Sequence, residues 1–204
     1  MLENSDIQLT LIGAGCINSN LIPFLARIGF SDVTVFDFDL VEEKNRKNQI
    51  YRTKDIGTLK VNALHDIILE MTGVKIHPMA EKIDAQVLSG IVICGVDSMK
   101  ERRKIWQNCI KMQPQISLYI DARVGGSTLK VFALDPTDLD AVDLYEQNLH
   151  TDSTNPEITC LVGEIPTLLV VASVVTQLLL AFDGGEEYNA ETIIDIKKWM
   201  VLTQ

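Results

Sequence analysis

Residues Leu9 to Asn20 read LTLIGAGCINSN, an apolar strand that runs into a glycine turn and then into a helical pattern. Gly13 permits the tight bend and Gly15 lets the backbone come close to a ligand. The helix that follows points unpaired N–H groups and the positive end of its dipole at an anion. This arrangement suits a nucleotide phosphate. The third position of the usual glycine fingerprint is Asn18, so the turn alone is an incomplete signature.

Outward from that turn the chain alternates. Strands are expected at Gln8–Ile12, Asp32–Phe36, Lys75–Met79, Gly90–Cys94 and Ile116–Ile120, with helices at Asn20–Ile28, Thr58–Met71 and Ser98–Met112 between them. Such alternation implies parallel strands joined by right-handed crossovers. The ligand crevice then lies at the carboxyl ends of the strands, where Gly13, Asp37 and Asp97 would emerge together. Beyond Asp121 the period changes: Thr128–Leu134 and Thr192–Val201 read as further strands, added antiparallel to the sheet. Asp135 to Gly163, with two prolines and seven acids, reads as a long crossing loop. The expected fold is therefore α/β, a Rossmann-like doubly wound, mostly parallel sheet with C-terminal antiparallel strands, forming a single domain over residues 1–204.

Composition excludes several classes. The chain is 47% hydrophobic, which supports a packed core, and its net charge of −10 argues against a sequence-independent grip on nucleic acid. Ten of the eighteen Lys and Arg fall within Lys44–Lys60 and Lys100–Lys104, whereas Val131–Ile196 has none. Ile165–Phe182 is apolar, but Thr167, Ser173, Thr176 and Gln177 interrupt it and acids flank it. A core or dimer-interface helix is expected there and no membrane span. Cys16, Cys94, Cys109 and Cys160 show neither close pairing nor zinc-type spacing, and no signal sequence precedes them, which fits a reducing cytoplasm. His65, His77 and His150 share no metal-ligand spacing.

Asp37 closes the second strand 24 positions after Gly13, where a carboxylate can accept hydrogen bonds from ribose hydroxyls. The decisive blocks are DFDLVEEKNRKNQIYRTKDIGTLKVNAL, Asp37 to Leu64, and GVDSMKERR, Gly95 to Arg103. With the glycine turn they resemble the superfamily of enzymes that adenylate the C-terminus of ubiquitin and of ubiquitin-like sulfur carriers, of the ubiquitin-activating and the molybdopterin- and thiamine-pathway types. The resemblance spans most of the chain. It implies that Gly13, Gly15, Asp37, Asp39, Val41, Asn45, Gln49, Lys60 and Asp97 surround ATP. In that chemistry a peptide carboxylate attacks the α-phosphate, so two anions must meet while pyrophosphate leaves. Lys60 would balance phosphate charge, Asp97 would hold Mg²⁺ and Asp37 would fix the ribose. The plainer alternatives are a surface helix cation for Lys60 and a helix N-cap for Asp97.

The chain also departs from the family pattern. Asn48 stands where the family has the Arg of an Arg-Gln pair, and Ser98 stands where Asn commonly follows the Asp. Arg46 or Lys47 could supply the missing cation, although Lys lacks the planar fork of Arg. Cys160, in NPEITCLVGEIP, matches a position where the family often carries a cysteine that accepts the activated tail as a thioester; a cysteine without a chemical role is the alternative. Tyr119–Gly126, YIDARVGG, resembles the strand and turn leading toward the tail-receiving loop, and Arg123 would meet a carboxylate or phosphate there or form a structural ion pair. The two Cys-x-x-Cys pairs that hold zinc in some relatives have no counterpart, so no zinc is expected.

The resemblance implies adenylation of the C-terminal glycine of a small ubiquitin-like or sulfur-carrier protein with a Gly-Gly tail, by a homodimer using ATP and Mg²⁺. Two other readings stay open at this point. One is a catalytically inactive subunit or scaffold of a heterodimeric activating enzyme, favoured by Asn18, Asn48 and Ser98. The other is an NAD-dependent oxidoreductase, which leaves Asn45, Lys60 and Asp97 without a shared purpose.

Overall fold

The computed structural model describes residues 7–149 and 164–204. Its sheet contains β1 (Leu9–Ile12), β2 (Val33–Phe36), β3 (His77–Met79), β4 (Gly90–Cys94), β5 (Ile116–Gly125), β6 (Thr128–Leu134), β7 (Glu191–Asp195) and β8 (Met200–Thr203). The helices are α1 (Cys16–Ile28), α2 (Lys60–Thr72), α3 (Met99–Ile105), α4 (Leu139–Gln147) and α5 (Ile165–Asp183). The strand order is β3-β2-β1-β4-β5-β6-β7-β8. The pairs from β3 to β5 are parallel, and those from β5 to β8 are antiparallel. This is the Rossmann-like arrangement that the sequence implies.

Strand alternation divides the core between the two faces of the sheet. Leu9, Leu11, Val33, Val35, Ile91, Ile93, Leu118 and Ile120 pack with α1, α2 and α5, whereas Ile12, Phe36, Val92, Cys94 and Tyr119 pack with α3 and α4. Successive side chains of a strand point to opposite faces, so these nearly continuous apolar runs are buried on both. Five-residue β4 is wholly apolar apart from Gly90 and lies between β1 and β5, paired in parallel on both sides.

Three expectations need correction. The expected Ser98–Met112 helix is α-helical only through Ile105; a π turn, Trp106–Ile110, follows. Trp106, fully buried, donates from Nε1 to Glu146 on α4, an anchoring that the helical period does not reveal. The expected strand Thr192–Val201 is a hairpin of β7 and β8. The Asp195 carboxylate accepts the N–H groups of Lys197 and Lys198, and Trp199 takes a left-handed conformation at φ 51°. The segment read as a crossing loop, Asp135–Gly163, carries α4, whose N-cap Asp138 accepts from Asp140 and Ala141. The remainder, 150–163, lies outside the described residues, and with it His150 and Cys160.

Among the described residues α5 alone is long and apolar enough to cross a membrane. Here it serves as a core helix, burying Leu168, Val171, Ala172, Val175 and Leu179 against the sheet and α1.

Candidate functional site

A cleft of about 460 Å³ opens where β1, β2 and β4 end at their carboxyl edges. Gly13, Gly15, Asp37, Asp39, Asn45, Gln49, Lys60 and Asp97 all line it. The residues quoted for the family resemblance thus come from five separate segments and meet in one place; Val41, buried in the adjoining core, supports them.

The glycine turn is built by its neighbours. Gly13 sits at φ +87°, which a side chain would strain, and its N–H donates to Phe36 O at 2.8 Å. Asn18, fully buried on α1, donates from Nδ2 to the carbonyls of Ile12 and Gly13 at 3.0 and 2.8 Å. Asn18 Oδ1 is buried without a hydrogen-bond partner among the described residues. The residue that breaks the glycine fingerprint is therefore the strut of the loop. A Cβ on Gly95 would meet that amide at 2.8 Å, so the turn after β4 must stay bare. Tyr51 Oη donates to Ala14 O at 2.7 Å, and burial pushes its phenol well above the usual range, which keeps the donor proton in place.

Asp37 receives two backbone donors, Ala14 N–H on Oδ2 at 2.7 Å and Asp39 N–H on Oδ1 at 2.8 Å. Burial raises its carboxyl above the ordinary range, and the Lys60 ammonium opposes that rise. Lys60 opens α2, is 7% exposed, and reaches Asp39 Oδ2 at 2.8 Å. It is a buried cleft cation, not a surface one. Asn45 Oδ1 caps the short 3₁₀ turn Glu43–Lys47 by accepting Glu42 N–H at 2.8 Å. Gln49 Oε1 is buried with no partner among the described residues. Asp97 lies in the turn before α3; Ser98, not Asp97, caps that helix by accepting Glu101 N–H.

Other expectations fare differently. Arg46 pairs with Glu43 at 2.5 Å and does not line the cleft. Asn48 is buried and its carbonyl accepts Asn20 Nδ2 at 2.8 Å, tying this segment to α1; it too lies off the cleft wall. Arg123 takes the structural option: Nε and Nη2 bind Asp121 Oδ2 at 2.8 and 2.7 Å, and Nη1 binds Asn148 O at 2.9 Å. Among the described residues no three His, Cys, Asp or Glu side chains gather as a metal site.

Sequence reasoning missed Lys44, Glu81, Lys82 and Glu101, all on the cleft wall. Lys44 pairs with Glu42 at 3.0 Å and Lys82 with Glu101 at 2.6 Å. Glu81 and Lys82 follow β3, and only the position of β3 beside β2 would have pointed to them.

A Rossmann-like sheet thus brings a glycine turn, a buried strand-end carboxylate and a buried lysine to one cleft. The chain belongs to the ThiF family, whose model matches residues 2–201. Among curated proteins it is 33% identical over 105 residues to the Nedd8-activating enzyme E1 catalytic subunit of Drosophila melanogaster, covering 48% of this chain and 23% of that protein. It is 28% identical over 153 residues to a probable molybdopterin-synthase adenylyltransferase of Gracilaria tenuistipitata var. liui, covering 71% and 42%. It thus spans less than half the length of these relatives. Among solved structures, E. coli MccB in complex with AMPCPP and MccA superposes with a TM-score of 0.78 at 16% identity, covering 98% of this chain and 64% of MccB. PaaA superposes at 0.75 with 18% identity, covering 98% and 64%. These structures share the fold.

Proposed function

We propose that this chain uses ATP to adenylate the C-terminal glycine of a small ubiquitin-like or sulfur-carrier protein. The observation that carries this reading is the meeting of Gly13, Asp37, Asn45, Gln49, Lys60 and Asp97 around one cleft. An NAD enzyme has no evident use for a buried lysine and a bare carboxylate at the two sides of the phosphate turn.

The terminal carboxylate of the carrier attacks the α-phosphorus, the bond to the bridging oxygen breaks, and pyrophosphate leaves with the electron pair. Asp37 orients the ribose and Gly13 and Gly15 admit the phosphates to the backbone. The Lys60 ammonium exchanges Asp39 for phosphate oxygen and offsets the charge brought together by the two anions. Asp97 makes no side-chain hydrogen bond or ion pair among the described residues, which leaves a hard oxygen donor turned to the cleft. That suits Mg²⁺, which commonly takes one or two carboxylates with substrate phosphates and water. When bound there it supplies charge compensation for the departing pyrophosphate. Cys160 is the proposed acceptor of the activated tail in a second step, and a homodimer the proposed assembly.

A second reading, a non-catalytic subunit, rests on the cleft's charge. Its wall holds Asp37, Asp39, Glu42, Glu81, Asp97 and Glu101 against only Lys44, Lys60 and Lys82, and Arg46 does not line it. ATP–pyrophosphate exchange with a carrier ending in Gly-Gly decides between them. Carrier-dependent exchange supports adenylation, and a conjugate lost in Cys160→Ala and cleaved by thiols supports the second step. ATP binding without exchange favours the non-catalytic subunit.

A further inference from the structure

We propose that Arg102 is a positioning residue for the cleft: anchored on Asp121, it fixes the turn that presents Asp97. Arg102 belongs to α3 yet is only 4% exposed, because its side chain folds back beneath the turn that starts the helix. Nη2 donates to the carbonyl of Val96, the residue before Asp97. Nη1 pairs with Asp121 and lies 3.8 Å from Cys94 Sγ at the end of β4. Asp121, on β5, is fully buried and holds three groups at once: Arg102, the Arg123 guanidinium at 2.7 Å and the Tyr145 hydroxyl at 2.8 Å.

A buried guanidinium without its partner is costly, so Arg102 cannot leave Asp121, and the donor it extends to Val96 is immobile. Burial keeps the Tyr145 phenol well above its ordinary range, so it donates its proton and does not compete as an anion. The turn is thus held on both sides ahead of Asp97. Gly95 N–H donates to Ile12 O at 3.0 Å, and Arg102 clamps the next carbonyl. Asp97 is the first side chain beyond these restraints, and it faces the cleft. Arg102, Asp121, Arg123 and Tyr145 do not line the cleft themselves, so the network reaches a ligand through the turn that carries Asp97 and through the adjoining start of α3, and the double variant separates the two routes. This inference rests on the ATP and Mg²⁺ reading above.

The test measures ATP binding to the full chain by calorimetry, in EDTA and over graded Mg²⁺, for the wild type, Arg102→Met, Asp97→Asn and the double variant. Loss of an outer-sphere partner typically costs about 10- to 100-fold in metal affinity, so Arg102→Met is expected to raise the Mg²⁺ midpoint by at least about tenfold. Its affinity for ATP in EDTA should stay within about twofold of the wild type, and in the double variant Arg102→Met should add nothing to Asp97→Asn, as sites acting as one unit are not additive. Arg102→Lys, which keeps the charge on Asp121 but not the fork, serves if Arg102→Met does not fold, and is expected to give a smaller shift in the same direction. Equal loss with and without Mg²⁺, additivity with Asp97→Asn, or an unchanged Mg²⁺ midpoint in whichever variant folds would overturn the assignment. A wild type that binds no ATP at any Mg²⁺ concentration overturns the nucleotide reading itself. Wild-type binding enhanced by Mg²⁺ leaves that reading standing, whatever the variants do.

Discussion

The ammonium of Lys60 lies 2.8 Å from Asp39 Oδ2, pairing a side chain that is 9% exposed with one that is 53% exposed. The pair is therefore asymmetric: water already solvates Asp39, while Lys60 has little besides this carboxylate and whatever enters the cleft. Lys60→Met is expected to cost the fold no more than about 1 kcal/mol, since half-exposed pairs are screened. It should weaken ATP binding by at least about tenfold, the equivalent of 1.4 kcal/mol. Calorimetric titration with ATP beside a urea melt separates the two. A large stability loss with unchanged ATP affinity would assign the lysine to the fold alone.

The pH response of Asp37 has opposite signs for stability and for binding. Burial raises its carboxyl above the ordinary range, with Lys60 opposing. The folded state therefore favours the protonated form. Its contribution to stability is fully present below the unfolded-state value and lost as pH rises through the raised one. Ribose recognition needs the carboxylate, so ATP affinity should fall as pH drops through that same raised value. In Asp37→Asn this acid limb should disappear, and in Lys60→Met it should move to higher pH because the opposing charge is gone. NMR titration of the carboxyl carbon alongside ATP affinity measures both. An acid limb that persists in Asp37→Asn would assign it to another group.

Much of the cleft was legible because glycine turns and carboxylates at strand ends carry position-specific chemistry. Gly13, Asp37 and Asp97 follow β1, β2 and the segment after β4, and strand alternation alone brings those ends together. Gly90–Cys94 and Thr128–Leu134 match their expected bounds, since turn residues bracket each apolar run. The β7–β8 turn was hidden because Asp195 makes it with its side chain, without glycine or proline, in a stretch whose apolar residues continue on both sides. Lys82 looks like any surface lysine until β3 is placed beside β2, and Lys44 until the 3₁₀ turn Glu43–Lys47 is placed at the cleft. Asn18 read as a defect in the fingerprint, and its role as a strut follows only from the approach of Gly95.

Gly90 supplies a test of the fold that is independent of ligand. It sits at φ +70°, where a Cβ would fall 2.3 Å from Gln8 O, a backbone atom of the neighbouring chain segment. Gly126, at φ +58°, has nothing within 4 Å of a built Cβ. Gly126→Ala should therefore cost only the left-handed conformation, about 1 to 2 kcal/mol. Gly90→Ala adds a backbone clash at the start of the central strand and is expected to cost about 3 kcal/mol or more. Urea denaturation of both variants checks the order. Equal losses would mean that the β1–β4 edge yields more readily than the close approach implies.

The outer face of α5 tests the proposed homodimer. Its inner residues, Leu168, Val171, Val175 and Leu179, are at most 1% exposed, whereas Ile165 and Leu169 are 48% and 51% exposed, and Phe24 on the neighbouring α1 is 39% exposed. A charge on the inner row must unfold the chain, because it would be buried without a partner. A charge on the outer row meets water and should leave the melting temperature within a few degrees, given that surface substitutions usually fall within about 0.5 kcal/mol. If this face pairs with a second copy, light scattering will show a wild-type dimer and a monomeric Leu169→Glu variant of unchanged melting temperature. A dimer that survives Ile165→Lys/Leu169→Glu would place the interface elsewhere, and a wild-type monomer would remove the homodimer from the proposal.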